Sequence, residues 1–441
     1  MVQQTFRIEP LKCWNEAKEL RSKYYHDYLN AGFRCSGSGI TFPSFLEGLG
    51  RDVVLLTGEP YAATISYFTE FSDKCMEAVE AAGFARDLCS YMRNYWGSII
   101  LNKFIIPDGT ILDEWPKPDL LFTGHFCCSH AKWYQIASEF EGGVPLYGVD
   151  YSIDCFTELK SNDRRLDYVV QQYMDSIEWL EKISGRKFDD ELFIEAMHNE
   201  CRSLSLWAEI CTYNKAIPAP LDEKTMYSLY VFNVICPHRK EVVAFYERLR
   251  DEVKDRVERG VAAVPTERFR FITDGQPPWA FLDIFRYMER EYGAVSLGSI
   301  YTHGLIAAWD EDEEGNLVPA KTPQEKGIKI TNREEAIRAL ADFRLKGWLI
   351  TIGIYSASRR SDVLKKLVRQ WNADAVIFHL NRGCEAFALG QMENRLDLLE
   401  DNIRVLTYEG SMGDNRDFDM PATVSAIDSF MESLGVSRLI G

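Results

Sequence analysis

The sequence predicts an α/β protein: two parallel-sheet units with helical N-terminal and middle segments. Three observations carry that expectation. Short apolar runs of strand length alternate with helical stretches in two separate regions, the pattern of parallel sheets covered on both faces. Between them, from about 160 to 257, the chain shows helical periodicity and charge and no convincing strand. The 441 residues are 46% hydrophobic and 27% charged, which suits a globular protein of two or three domains with sizeable cores. The expected divisions are a helical segment over 1–46, a first α/β domain over 47–160, a helical segment over 161–260 and a second α/β domain over 261–441.

In chain order, Glu16 to Leu29 reads as a helix and Gly32 to Gly39 as a Gly/Ser loop. Asp52 to Thr57 is a buried strand, ending in a Gly58-Glu-Pro-Tyr61 turn. Helices follow at Ser72 to Ala82 and Arg86 to Leu101. Pro118 to Gly124 is the second strand, Ser129 to Glu141 a helix and Val144 to Asp150 the third strand. The middle helices are Leu166 to Ser184, Asp189 to Tyr213 and His238 to Arg259. Strands resume at Arg268 to Thr273, Gly293 to Leu297, Asp374 to His379 and Ile403 to Thr407. Helices lie at Pro278 to Glu291, Arg333 to Leu345, Ser358 to Asn372 and Ala422 to Leu434. Trp348 to Tyr355 fits either strand or helix.

Fifty basic against 67 acidic residues leave a net charge of −17, which repels nucleic acid and disfavours a cationic membrane anchor. No apolar run reaches the roughly 18–20 residues that cross a bilayer, and Met1 to Trp14 lacks the order of a secretory signal. A cytoplasmic location is expected. The eleven cysteines contain no C-x-x-C pair, so zinc ribbons, thioredoxin-type motifs and ferredoxin runs lack support.

No G-x-x-x-x-G-K-[ST] occurs, so a Walker-type ATP site is absent, and the Gly-rich stretches lack the strand-turn-helix setting of a dinucleotide site. The cysteines are better placed. Cys127 and Cys128 follow one strand and precede a helix; Cys384 does the same in the second unit, and Cys89 lies between the first two strands. Loops at the carboxyl ends of parallel strands are where sites are built, and a helix start favours a thiolate. Two facing domains would gather three such sulfurs around one centre, and three thiolates on iron leave one position of a [4Fe–4S] cluster open. Cysteines simply buried in cores fit the same spacing. His125 and His130 flank the doublet too tightly for the usual zinc spacings.

The segments Gly58 to Tyr61, Gly83 to Gly97, His125 to Tyr134 and Asn381 to Glu385 resemble the benzoyl-CoA reductase and 2-hydroxyacyl-CoA dehydratase family. Within it they look like the B-type subunit of an ATP-dependent benzoyl-CoA reductase, over about 15 to 435. The resemblance implies two Rossmann-like domains and a [4Fe–4S] cluster on Cys89, Cys127 or Cys128, and Cys384. The Trp133-Tyr134 pair favours Cys127 in that register.

It further implies a related cluster-bearing subunit, ATP-hydrolysing activator subunits with a ferredoxin-type donor upstream, and an acyl-CoA substrate. The implied activity is delivery of low-potential electrons to an aromatic acyl-CoA ring, with radical water elimination from a 2-hydroxyacyl-CoA as the alternative. Proton transfer to the reduced acyl group calls for an acid, and Glu59, Tyr61 and His303 are the candidates by residue type and position, with Tyr301, His125 and His130 as further ones.

Overall fold

The computed structural model describes residues 5–151, 163–347, 349 and 356–439. Cys155 and most of the ambiguous Trp348 to Tyr355 stretch lie outside them. Two four-stranded sheets organise the chain. The first contains β1 (Phe33–Gly37), β2 (Val53–Thr57), β3 (Leu120–His125) and β4 (Leu146–Asp150), in the order β2-β1-β3-β4. The second contains β5 (Phe269–Asp274), β6 (Ala294–Ser299), β7 (Ala375–Asn381) and β8 (Arg404–Gly410), in the order β6-β5-β7-β8. Every pairing in both is parallel. The two sheets therefore repeat one topology, with the direction of winding reversing between the first and third strand of each.

The buried strands explain themselves. Val53–Thr57 is apolar on both faces and buried throughout, because helices cover both sides of a parallel sheet; Phe269–Asp274 is buried throughout as well, with Arg270 paired to Glu267 and Asp274 to Arg360. β1 was expected to be loop, and the structure corrects this. Its sequence, Phe-Arg-Cys-Ser-Gly, has no apolar run, yet it pairs with β2 on one side and β3 on the other. The first sheet thus takes a strand from the segment expected to be helical. Gly37 is needed there: a Cβ would lie 1.8 Å from the Phe122 carbonyl oxygen of the adjoining strand. Gly37→Ala is expected to destabilise the protein by about 3 kcal/mol, since the obstacle is backbone that cannot swing aside. A urea midpoint indistinguishable from wild type would contradict this.

The Gly58 to Tyr61 turn also differs from expectation. A helix, Gly58–Tyr67, starts directly at the end of β2, and Pro60 is tolerated because first-turn amides have no intrahelical acceptor. In the middle segment, Asp189 caps Asp190–Thr212 by accepting from the amides of Glu191 and Leu192. Helix Lys240–Arg259 buries Val242, Phe245, Tyr246, Leu249 and Val253 along one stripe and stops at the left-handed Gly260. Short helices at Glu223–Leu229 and Phe232–Ile235 complete this region. The N-terminus returns to it: Arg7–Ile8 pairs in parallel with Val261–Ala262.

The halves are also joined by charge. Arg93, on helix Ser90–Ile100, meets Asp414 in the loop after β8 at 2.9 Å, both side chains almost fully buried. Glu80 reaches Arg93 at 3.3 Å, and Arg416 bonds Asp414 at 2.7 Å. The Gly413 carbonyl beside them accepts from Ser72 and Asn94 of the first half. No described helix is long and apolar enough to cross a membrane.

Candidate functional site

The carboxyl ends of both sheets open onto one cavity. In each open parallel sheet, the crevice where the winding reverses is the place a ligand can enter. Here the two crevices share a space. Gly39 follows β1, Glu59 follows β2 and Cys127 follows β3; from the other half, Gln276 follows β5, Tyr301 follows β6 and Cys384 follows β7. Cys89 joins them from the connection between β2 and β3.

Each of these cysteines occupies the residue just before a helix: Cys89 before Ser90–Ile100, Cys127 before Cys128–Phe140 and Cys384 before Glu385–Ala388. That placement turns backbone amides toward sulfur, those of Tyr91 and Met92 for Cys89, Ser129 and His130 for Cys127, and Phe387 for Cys384. All three are 6–7% exposed and free of disulfides. Cys128 is exposed, its thiol beside Glu385, and does not line the cavity.

Burial pushes the Cys89 thiol well up, with Cys384 and Cys127 adding to the effect. Burial likewise pushes Cys384 up to about 12, again with help from Cys127. Cys127 behaves differently. Burial opposes its ionisation, but His130, with Nδ1 3.3 Å from the sulfur, outweighs burial and holds the thiol below its ordinary value. His130 is in turn pushed up to about 10: burial works against its charge, while Cys127 and Glu59 favour it.

Glu59 completes the chain. Its Oε1 lies 2.7 Å from His130 Nε2 and accepts from Ser38 Oγ at 2.5 Å, and its Oε2 accepts from the Gly39 amide at 2.9 Å. These donors overcome burial and keep the carboxyl below its usual range. The His130 ring stacks on Trp133, and Trp133 on Tyr134, with nearly parallel planes in both cases.

Two expected site residues are elsewhere. Tyr61 is fully buried in the core, stacked on Phe104 at 4.6 Å, its hydroxyl bonded to Ser98 Oγ at 2.7 Å and to the Ile105 amide at 3.3 Å. The helix that begins at Gly58 presents Glu59 and Pro60 to the cavity and turns Tyr61 away. His303 is also enclosed, stacked on Trp309 with Nδ1 3.2 Å from Thr302 Oγ1, and burial pushes its pKa down to about 3. Its neighbour Tyr301 faces the cavity instead. His125 is exposed and 3.3 Å from Asp150, so the two histidines around the doublet do not converge.

Sequence reasoning missed Tyr91, Tyr230 and Gln276. Gln276 was accessible by position, immediately beyond a strand end, and its Oε1 is 3.2 Å from Cys384 Sγ. Tyr230 carried no signal, because it comes from the helical middle segment.

Among the described residues, no three His, Cys, Asp or Glu side chains are drawn tightly enough together to hold a single metal ion. The three thiols surround a volume. That layout suits a polynuclear iron–sulfur group, in which separate irons each take a thiolate, and soft sulfur donors with amides aimed at them suit it chemically.

The family described as 2-hydroxyglutaryl-CoA dehydratase, D-component, matches residues 60–434. The chain is 24% identical over 373 residues to the (R)-2-hydroxyisocaproyl-CoA dehydratase alpha subunit of Clostridioides difficile, covering 83% of this chain and 81% of the relative. It is 24% identical to the (R)-phenyllactyl-CoA dehydratase alpha subunit of Clostridium sporogenes, over 82% of this chain and 80% of that one. The B-type subunit of benzoyl-CoA reductase from Thauera aromatica is 24% identical over 329 residues, 71% of this chain and 68% of that one.

Proposed function

The chain belongs to the family of the 2-hydroxyglutaryl-CoA dehydratase D-component, and from that premise we propose that it is the cluster-bearing subunit of an ATP-dependent benzoyl-CoA reductase. The observation that carries this reading is the convergence of Cys89, Cys127 and Cys384 on one aromatic-lined cavity. A [4Fe–4S] cluster held by those three thiolates would supply low-potential single electrons, with one iron position left free of protein.

The chain's own residues prepare that place. His130 donates to the Cys127 sulfur and is oriented by Glu59, the arrangement by which outer partners fix and tune a metal ligand. Ser38 and Gly39 pin the carboxylate that does the orienting. Phe126, Trp133 and Phe387 exclude water and offer flat surfaces to an aromatic acyl group, each ring pair contributing about 0.5–1.5 kcal/mol beyond area burial.

Pro60 and Tyr230 also line a second, larger cleft, so the two spaces share a wall. The cleft carries Trp14, Tyr67 and Trp279 for stacking, and Arg21, whose guanidinium donates to Thr64 Oγ1 at 3.0 Å. That combination suits the nucleotide and phosphates of coenzyme A. The ATP-hydrolysing activator, fed by a ferredoxin-type donor, and a related cluster-bearing subunit are separate chains in this proposal.

A second reading, a subunit of a 2-hydroxyacyl-CoA dehydratase, is favoured by the two dehydratase relatives that match over four fifths of the chain. Anaerobic assay of the assembled complex with benzoyl-CoA and a 2-hydroxyacyl-CoA at equal concentration, with ATP and a low-potential donor, separates the readings. Ring reduction with little dehydration is expected. Faster water elimination with no ring reduction moves the protein to the dehydratases.

A further inference from the structure

Three tyrosine hydroxyls meet in the cavity wall. Tyr91 comes from the first half, Tyr230 from the helical middle segment and Tyr301 from the second half, and none is more than 4% exposed. The Tyr230 hydroxyl donates to Tyr301 Oη at 2.7 Å. The Tyr91 hydroxyl also bonds Tyr301, and the Trp279 indole N–H donates to the Tyr91 oxygen. Packing alone asks only for the rings. Phenylalanine fills nearly the same space without burying a hydroxyl, a group that costs about 1–3 kcal/mol wherever its partners are imperfect.

The order of the chain matters. Tyr301 is the central phenol and the one to which both others can donate, so charge placed against it spreads over three hydroxyls. Burial pushes all three phenols up, Tyr301 to about 12 and its two neighbours further, because the bonds from Tyr230 and Tyr91 favour its ionised form. All three are neutral donors near neutral pH. Glu59 and Cys384 are both near enough to act on Tyr301 electrostatically, which sets it among the site's charged groups.

Its backbone is equally specific. Tyr301 lies on a single π-helical turn, Ile300–Gly304, at the carboxyl end of β6, held by reciprocal hydrogen bonds between Ser299 and Thr302. Such turns concentrate at functional sites.

We propose that Tyr301, braced by Tyr230 and Tyr91, is the hydrogen-bond donor to the thioester oxygen of the acyl-CoA in this cavity. The role rests on the acyl-CoA reading above and assigns it a catalytic residue. When a low-potential one-electron donor reduces the thioester, one electron is added, no bond breaks and negative charge gathers on that oxygen. The Tyr301 O–H tightens onto the oxygen and keeps its proton. The group thus acts more strongly on the reduced state than on the bound substrate, which is the condition for accelerating the step.

The test uses the anaerobically assembled complex and benzoyl-CoA carrying ¹³C at the thioester carbonyl. Isotope-edited infrared spectra are expected to show the bound carbonyl band lowered in wild type and back near its solution position in Tyr301→Phe. Iron content and the paramagnetic resonance spectrum should be unchanged, KM should move by less than about threefold, and kcat should fall roughly 100-fold. Tyr230→Phe, which leaves Tyr301 in place, is expected to show part of the band shift and about a tenfold loss, and it carries the test if the first variant does not assemble. A carbonyl band identical in wild type and variants, or Tyr301→Phe turnover within threefold of wild type, overturns the role. If the labelled thioester does not bind the wild-type complex at all, the acyl-CoA reading falls, and this role with it.

Discussion

Cys127→Ser is expected to strip most of the iron from the anaerobically purified protein and to abolish turnover, while Cys128→Ser leaves both intact. The two residues are adjacent, yet only Cys127 lines the cavity, and only Cys127 has His130 beside its sulfur, holding the thiol below its ordinary value. A serine hydroxyl is a poor ligand for soft iron. The loss should therefore exceed the roughly 10–100-fold that removal of an outer partner costs, the range expected for His130→Ala. Cys89→Ser and Cys384→Ser should behave like Cys127→Ser. The fold should persist in Cys127→Ser, because a hydroxyl still offers His130 a partner and the change costs about 1 kcal/mol. Iron and sulfide analysis with circular dichroism reads all of this. Iron retained in Cys127→Ser and lost in Cys128→Ser would shift the ligand by one residue.

Asp414→Asn is expected to be strongly destabilising. It removes the carboxylate that faces Arg93 across the two halves, leaving a guanidinium with almost no access to water. Breaking one side of such a pair costs about 3–5 kcal/mol, and the lower figure applies here because Glu80 still reaches Arg93 at 3.3 Å. The pH dependence has a definite sign. Burial works to raise the Asp414 carboxyl, but Arg416 and Arg93 lower it to about 2, beneath its ordinary 3.8. Its contribution is therefore fully present above about pH 4 and lost as the pH falls toward 2. Urea unfolding at pH 7 should show the deficit in the variant, and the gap from wild type should narrow in acid. A pH-independent gap, or a deficit under 1 kcal/mol at pH 7, would remove the pair from the forces that join the halves.

A strand such as Val53–Thr57 was legible because burial on both faces demands an unbroken apolar run, which a sequence displays directly. β1 was not, because its strand character comes from neighbours on both sides rather than from its own five residues. The cysteines were legible by position, since the end of a parallel strand before a helix is a place with fixed geometry. The acid candidates were a finer question. Moving from Glu59 to Tyr61, or from Tyr301 to His303, changes the face of a helical turn, so neighbours of plausible chemistry point into opposite environments. Tyr230 depended on how the middle helices lie across the halves, a long-range matter that no local pattern encodes.

The pairing of Arg7–Ile8 with Val261–Ala262 has a consequence for the order in which the protein is made. A ribosome adds roughly 5–20 residues each second, so the partner strand emerges on the order of ten to fifty seconds after the first. The strands of the first sheet are all available once Asp150 has appeared, and that sheet can settle while the N-terminal residues still wait. The cavity, which needs Gln276, Tyr301 and Cys384, is built only after that. The nascent chain thus passes through a period in which Cys89 and Cys127 exist as a half-site with no opposing wall. If the site takes the proposed cluster, loading must come after translation has passed Cys384, or those two thiols must be shielded until then.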